Sequence, residues 1–179
     1  MIGKQSTLND LSGLDVKIDQ NHSEAMASSA AAMARANSGI VGSETQIGTR
    51  ALAIASYFTS DNLSRFIHIK TALRPDSHSE MFHLNITGYC YGESKAVDMT
   101  FVGYCYSADA TLLSVGVIGS HVLDTLPAAY ITSDGFIAVR IYFPTTYFLS
   151  LVVDSMRVGN GRLLSSADIQ IINAAEEAL

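Results

Sequence analysis

Two identical tetrapeptides, Gly-Tyr-Cys-Tyr, occur at residues 88–91 and 103–106 and contain the residue types best suited to binding or thiol chemistry. A cysteine thiol can form a disulfide or bind a metal, and a tyrosine combines an aromatic ring with a hydroxyl group. The chain has only two cysteines, Cys90 and Cys105, which are too few for a disulfide framework or a structural zinc site. In the hairpin predicted for this region, Cys105 stands opposite Phe82, several residues along the strand from Cys90, whereas a disulfide requires alpha carbons within about 7 Å. We therefore expect two free, buried thiols and turn to the tyrosines as candidate binding residues.

The remaining reactive residue types show no pattern that is typical of a catalytic site. The histidines at positions 22, 68, 78, 83 and 121 lack metal-site spacing, although His68 and His83 could approach each other across a sheet. We expect solvated or interface histidines there, with a metal site on a trimer axis as the alternative. There is no Gly-x-Ser-x-Gly motif and no glycine-rich phosphate loop. The sequence predicts no catalytic residue, no metal site, no cofactor and no enzymatic activity.

Charge and hydropathy exclude further classes of function. The net charge is −6, the pI is about 5.2, and the eleven Lys and Arg residues are scattered, whereas nucleic-acid binding needs a basic stripe. The Ala-rich stretch at residues 25–36 is interrupted by Ser28, Ser29 and Arg35, so it is too short to span a bilayer. The first twenty residues lack the apolar run of a signal peptide. We expect a protein that binds no nucleic acid and inserts in no membrane.

The composition of the chain changes near Gly48. All eight tyrosines, all seven phenylalanines and all three prolines follow this point. Before it, Leu11, Leu14 and Ile18 stand at helical spacing, and the Ala-rich composition favours helix. We interpret residues 1–48 as a helical or extended adaptor arm, either a partly disordered segment or a self-associating or docking helix. Residues 49–179 form the predicted second domain.

The pattern of residues 83–106 predicts a β-hairpin with one buried and one outward face. Apolar residues alternate with polar ones on both sides of the turn at residues 92–95. A turn centred between Glu93 and Ser94 brings together only pairs of inward residues, as a consistent register requires. These predicted pairs are Cys90–Val97, Gly88–Met99 and Ile86–Phe101.

Further short strands with turn signals about every ten residues predict a mainly β fold. The Asp134-Gly135 turn separates two of them, and Pro144 should end the second. Ile169 and Ile171 fit a last strand, and a helix running from Ser166 to the end of the sequence is the alternative. We predict an antiparallel sandwich or jelly-roll-like domain.

The hairpin places its four tyrosines on the outward face. Aromatic side chains with a polar end are common at subunit interfaces and at binding sites for sugars or proteins. A second packed layer of the sandwich and a subunit interface explain them equally well, and exposed ligand contact is the third alternative. The candidate interface or binding residues are Tyr89, Tyr91, Tyr104 and Tyr106.

The motifs together resemble a known type of protein. The runs ITGYCYG at residues 86–92, VDMTFVGYCY at 97–106 and YITSDGFIAVRI at 130–141 are similar to a distal β domain in tail fibres of tailed bacteriophages. FIHIKT at residues 66–71 fits the start of that domain, and the similarity covers roughly residues 51–158. The chain has almost no shaft, unlike most phage fibres.

The resemblance implies a virion structural protein, made in the host cytoplasm and placed in the tail fibre. It implies a homotrimer whose N-terminal arm docks to other virion proteins and whose β head binds a glycan or protein on the host surface. The alternative is a capsid or tail decoration protein that binds no receptor. A third, less favoured alternative is a carbohydrate-active enzyme.

Overall fold

The computed structural model describes residues 40–41, 49–119 and 127–179. Of the predicted N-terminal arm at residues 1–48, only residues 40–41 lie within these ranges. Within them the chain forms strands joined by turns and two short 3-10 turns, Tyr91–Glu93 and Ser166–Asp168. The strands are β1 (Ile40–Val41), β2 (Arg50–Thr59), β3 (Arg65–Thr71), β4 (Met81–Cys90), β5 (Lys95–Tyr106), β6 (Thr111–Gly119), β7 (Ala128–Ile131), β8 (Ile137–Phe143), β9 (Leu149–Met156) and β10 (Ile169–Ala174).

The strands form two antiparallel sheets, which confirms the predicted mainly β fold. The larger sheet has the order β1-β2-β9-β4-β5-β6, and the smaller one has the order β10-β3-β8-β7. Strands that are distant in sequence lie side by side, because β2 pairs with β9 and β3 pairs with β8. The order therefore differs from a simple meander of consecutive hairpins.

One hydrophobic core draws residues from both sheets. The alternation of apolar and polar residues turns one side of each strand inward, as a period of two requires. The smaller sheet contributes Ile67, Ile69 and Ile141, and the larger sheet contributes Leu84 and Phe101, all fully buried. Buried apolar area of this kind is the main favourable term in folding.

The central hairpin of β4 and β5 is confirmed, but its predicted register is wrong by two residues. Cys90 pairs with Lys95 and not with Val97. The connection is shorter than expected because Tyr91–Glu93 forms a 3-10 turn and Ser94 closes it at a left-handed φ of 54°. A shift of two residues leaves every side chain on its predicted face. The observed pairs are Cys90–Lys95, Gly88–Val97 and Ile86–Met99.

The structure confirms the predicted end of β8 and the predicted last strand. Strand β8 ends at Phe143, immediately before Pro144, since proline cannot donate to the ladder. At the C-terminal end, a single 3-10 turn at Ser166–Asp168 leads into strand β10. The predicted strand at Ile169 is confirmed, and the alternative of a helix to the end of the sequence is wrong.

Candidate functional site

The four candidate tyrosines lie at the two ends of the hairpin and do not form one surface. We call the end of the sandwich that holds the β4–β5 turn the tip and the opposite end the base. Tyr89 and Tyr91 lie at the tip, whereas Tyr104 and Tyr106 lie at the base, where Tyr104 pairs with Met81. With a rise of about 3.3 Å per residue, the ten-residue strand β4 separates the two pairs by roughly 30 Å.

An exposed group of aromatic side chains, which we call the tip cluster, consists of Phe58, Tyr91, Tyr147 and Phe148. Phe58 is 62% exposed and Tyr91 is 57% exposed. The ring centroid of Phe148 lies 4.7 Å from that of Tyr147, 6.1 Å from that of Tyr91 and 6.2 Å from that of Phe58. Phe148 therefore lies in contact with all three other rings, in the tilted and edge-to-face geometries that aromatic pairs prefer.

Hydrogen bonds hold the loops beneath the tip cluster in one arrangement. The buried hydroxyl of Thr146 donates to the backbone carbonyl of Asp61 at 2.8 Å, which ties the β8–β9 loop to the β2–β3 loop. The backbone N–H of Gly92 donates to the carbonyl of Tyr147 at 2.9 Å, which ties the same loop to the β4–β5 turn. Rings fixed by such a network lose little conformational entropy on binding a partner.

Backbone geometry at the tip is also constrained. Phe148 has a φ of 49°, in the left-handed region that bulky residues avoid at a cost of about 1–2 kcal/mol. A Cβ atom at Gly92 would lie 2.8 Å from the Thr145 hydroxyl, so only glycine fits there without movement. Strain retained at an exposed aromatic cluster is typical of a binding site.

Sequence reasoning identified Tyr91 but missed Phe58, Tyr147 and Phe148. A signal was present for Phe58, since it precedes Thr59, which is buried, and the alternation of β2 turns it outward. Tyr147 precedes strand β9, which begins two residues later at Leu149.

The base presents a different arrangement around Tyr104 and Tyr106, both half-buried, whose ring centroids are 5.9 Å apart. Tyr104 has Met81 as its register partner on one side and Leu113 on the other. An apolar cleft of about 310 Å³ lies beside it, with the ring of Phe82 in its wall. These residues make the base a mixed apolar surface with a shallow recess.

Strand β6 forms an exposed edge next to the base. Its nine residues, TLLSVGVIG, contain no charged residue and no proline, and its only strand partner in the described part of the chain is β5. Ile118 is 74% exposed, and Leu113, Val115 and Val117 are also exposed. Natural proteins usually protect such edges with charges, prolines or a covering element.

His68 and His83 do not approach each other across one sheet, because β3 and β4 belong to different sheets, and the expectation of a solvated or interface histidine is wrong for His68. His68 is fully buried, with its Nδ1 2.7 Å from the Tyr130 hydroxyl and its Nε2 3.1 Å from the carbonyl oxygen of Glu176. Since the carbonyl can only accept, Nε2 carries the proton and the tyrosine donates to Nδ1. Burial lowers the pKa of His68, so this histidine is a neutral structural residue.

Both cysteines are free and buried, as predicted, and lie at opposite ends of the hairpin. Cys105 exchanges two backbone hydrogen bonds with Glu80, and not with the predicted Phe82, because of the register shift. Burial raises the pKa of Cys105 to about 11, and the charge of Glu80 acts in the same direction. The pKa of Cys90 is raised by burial as well. Neither thiol is activated as a nucleophile.

Other chemistry has little support in the part of the chain that the structure describes. No group of three or more His, Cys, Asp or Glu residues in these ranges could hold a metal ion. No helix within the described ranges is long and apolar enough to cross a membrane. The tip cluster is thus the most distinctive surface feature of the described chain. A scan against protein-family models, a search of curated proteins and a search of solved structures found no match, so the tip cluster is interpreted from its geometry alone.

Proposed function

We propose that this chain is a virion structural protein, a short homotrimeric phage tail fibre whose β head binds a glycan or protein on the host surface. In this proposal residues 1–48 form the helical or extended arm that attaches the head to other virion proteins. The protein acts by binding and carries out no catalysis.

The observation that carries the proposal is the position of the tip cluster. Strand β2 begins at Arg50, which pairs with Met156 at the base, so the head domain begins at the end opposite to the tip. A fibre anchored through its N-terminal arm would present the opposite end of its head to the host. The tip carries exposed and rigid aromatic rings, and such rings are enriched at the energetic centres of interfaces.

Trimer formation is supported by the edge strand β6 and by the half-buried tyrosines of the base. A long uncharged edge with exposed Ile118 can pair with or pack against another subunit. Tyr104, Met81 and Leu113 provide adjoining apolar area on the outward face. In this proposal the base and β6 contact neighbouring subunits, and the tip stays free for the host.

The first test is the mass of the purified full-length protein by light scattering. We expect the mass of three chains of 19.2 kDa each. A stable monomer at micromolar concentration would contradict the proposal. Labelling of phage particles with an antibody against this chain should place it on the tail fibre.

The second test measures binding of the labelled protein to host cells. Replacement of Tyr91 and Phe148 by alanine should reduce binding at least tenfold, because aromatic anchors at an interface centre commonly contribute about 2 kcal/mol or more each. The control is Ile131→Ala, which removes an exposed apolar side chain from strand β7, away from the tip. Equal loss of binding in the control would show that the tip has no special role.

A decoration protein of the capsid or tail remains the second candidate, and strand β6 favours it. An exposed strand without charges can also add to a sheet of another protein, as in β-augmentation. This candidate predicts that the protein binds purified phage particles but no host cells. Binding to cells through the tip cluster would exclude it.

A further inference from the structure

Phe58 and Tyr89 lie on the outward face of the larger sheet, on either side of one small residue. Both pair with Ser150 of β9, Phe58 from β2 and Tyr89 from β4. Residues that pair across antiparallel strands project to the same face. The neighbouring Leu149, Leu151 and Cys90 are buried, which establishes that this face is the outer one. We call Phe58, Ser150 and Tyr89 the outer row.

The outer row is open to solvent and aromatic at both ends. Phe58 is 62% exposed and Tyr89 is 48% exposed, and Ser150 between them is exposed as well. Adjacent strands are about 4.8 Å apart, so the two aromatic residues stand about 9.6 Å apart across β9. This separation is close to the length of one disaccharide unit in a linear glycan. Two sugar rings of one chain could therefore each lie over one aromatic ring.

The residues around the outer row carry hydroxyl groups and small side chains. In the next row of the sheet, Ser56 and Thr87 are exposed on either side of Val152. Serine and threonine hydroxyls both donate and accept hydrogen bonds, as sugar hydroxyls do. These two rows contain no charged side chain between β2 and β4; Asp98 of β5 stands opposite Thr87, and Asp154 of β9 stands in the following row, opposite Asn85. The surface thus matches an uncharged partner better than a charged one.

Contacts with the tip cluster fix the orientation of one of the two rings. The ring of Phe58 packs against that of Phe148 with centroids 6.2 Å apart and a tilt of 55°. Phe148 in turn belongs to the loop that Thr146 ties down through its hydrogen bond to Asp61. A ring held in place before binding loses less entropy when a sugar stacks on it.

We propose that the outer row binds a neutral linear glycan, which crosses β2, β9 and β4 with one sugar ring on Phe58 and the next but one on Tyr89. The hydroxyl groups of Ser150, Ser56 and Thr87 hydrogen-bond the sugars. This inference rests on the proposed host-surface function and names its ligand class. It adds Ser150, Ser56 and Thr87 to the candidate residues.

The test uses the full-length protein and calorimetric titration with neutral linear hexasaccharides, namely cellohexaose, maltohexaose, laminarihexaose and chitohexaose. We expect at least one of them to bind, and Phe58→Ala and Tyr89→Ala to weaken that binding at least about tenfold each. Tyr89→Phe retains the ring and should bind within about twofold of the original protein. The control Ile131→Ala should leave binding unchanged. Heparin, a charged glycan, should not bind.

Three outcomes would overturn the inference. The first is that none of the four hexasaccharides binds, and the second is that Phe58→Ala and Tyr89→Ala bind as tightly as the original protein. The third is that either variant changes the mass in light scattering, which would make the outer row a subunit interface. Host-cell binding separates this inference from the proposed function. If the protein binds host cells but none of the hexasaccharides, the proposed glycan ligand is refuted and the host-surface function stands. If it binds a hexasaccharide but no host cells, the host-surface function is refuted.

Discussion

The two copies of Gly-Tyr-Cys-Tyr differ in the surroundings of their tyrosines, although their sequences are identical. In the tip copy, Tyr89 and Tyr91 are both largely exposed. In the base copy, Tyr104 and Tyr106 are half-buried against each other. Their cysteines, by contrast, are both fully buried. The same four residues thus provide an open surface at one end and a packed one at the other.

The difference follows from the residues on the neighbouring strands. Tyr89 lies between Ser150 and Ala96, which are too small to cover a phenol ring. Tyr104 lies between Met81 and Leu113, whose side chains are long enough to cover part of its ring. Cross-strand neighbours, and not the motif itself, therefore decide how much of a tyrosine is available to a partner.

The glycines of the two copies provide the strongest test of this comparison. A Cβ atom at Gly88 would lie 2.0 Å from the backbone oxygen of Ser150, whereas one at Gly103 would lie 2.6 Å from the ring of Phe82. A ring can shift, but a paired strand cannot move without breaking its ladder. We expect Gly88→Ala to lower the free energy of unfolding by more than about 3 kcal/mol and Gly103→Ala by about 1–3 kcal/mol.

Urea denaturation of both glycine variants measures these losses. Equal losses would mean that β9 can separate from β4 as easily as the Phe82 ring can turn. Loss of the folded state in Gly88→Ala would agree with the prediction, since Gly103→Ala should still fold.

The tyrosines should show a smaller difference. Substitution at the base should affect stability, and substitution at the tip should affect binding. Tyr104→Ala removes packing against Met81 and Leu113 and should cost about 1–2 kcal/mol of unfolding free energy. Tyr89→Ala should change stability by less than about 0.5 kcal/mol, since exposed substitutions rarely cost more. Chemical denaturation of the two variants checks this, and a larger loss for Tyr89→Ala would reverse the comparison.

The cysteines should show the smallest difference, because both copies bury them. We expect neither thiol to react with an aromatic disulfide reagent at pH 8 in the folded protein, and both to react in urea. The fold holds Cys105 as the neutral thiol up to a pKa of about 11, above its ordinary value of 9.0. The neutral thiol of Cys105 therefore makes its full contribution to the free energy of unfolding below pH 9, and this contribution is lost as the pH rises towards 11. The free energy of unfolding of Cys105→Ala should fall less over that pH range than that of the original protein. Rapid labelling of either thiol in the folded protein would contradict the prediction that both are protected.

The alternation of residues was sufficient to predict the sheet faces but not the pairing. Leu84, Ile86, Met99 and Phe101 point inward as expected, since a period of two depends only on sequence order. The register was missed because it depends on the turn, where Ser94 takes a left-handed conformation that a serine does not signal. Two registers that differ by two residues place the same side chains on the same face.

The candidate site was predicted only in part because it joins three segments that are distant in sequence: a strand end, a turn and a loop. Tyr91, Phe58 and Phe148 meet because β2, β9 and β4 are neighbours in the sheet, and hairpin reasoning cannot supply that order. His68 was misplaced for a similar reason. The side chain of His68 projects from the outward face of its strand as expected, but the chain near Glu176 covers that side chain and buries it.

The strand directions have a mechanical consequence for a head held at the base and loaded at the tip. Strands β2, β9 and β4 all run between these two ends, so a pull along this axis acts parallel to the strands. The ladder hydrogen bonds lie perpendicular to antiparallel strands, so such a pull shears many of them at once. A ladder loaded in this way resists force better than one opened from its end, bond by bond. The larger sheet is thus oriented to resist tension between the start of β2 and the tip cluster.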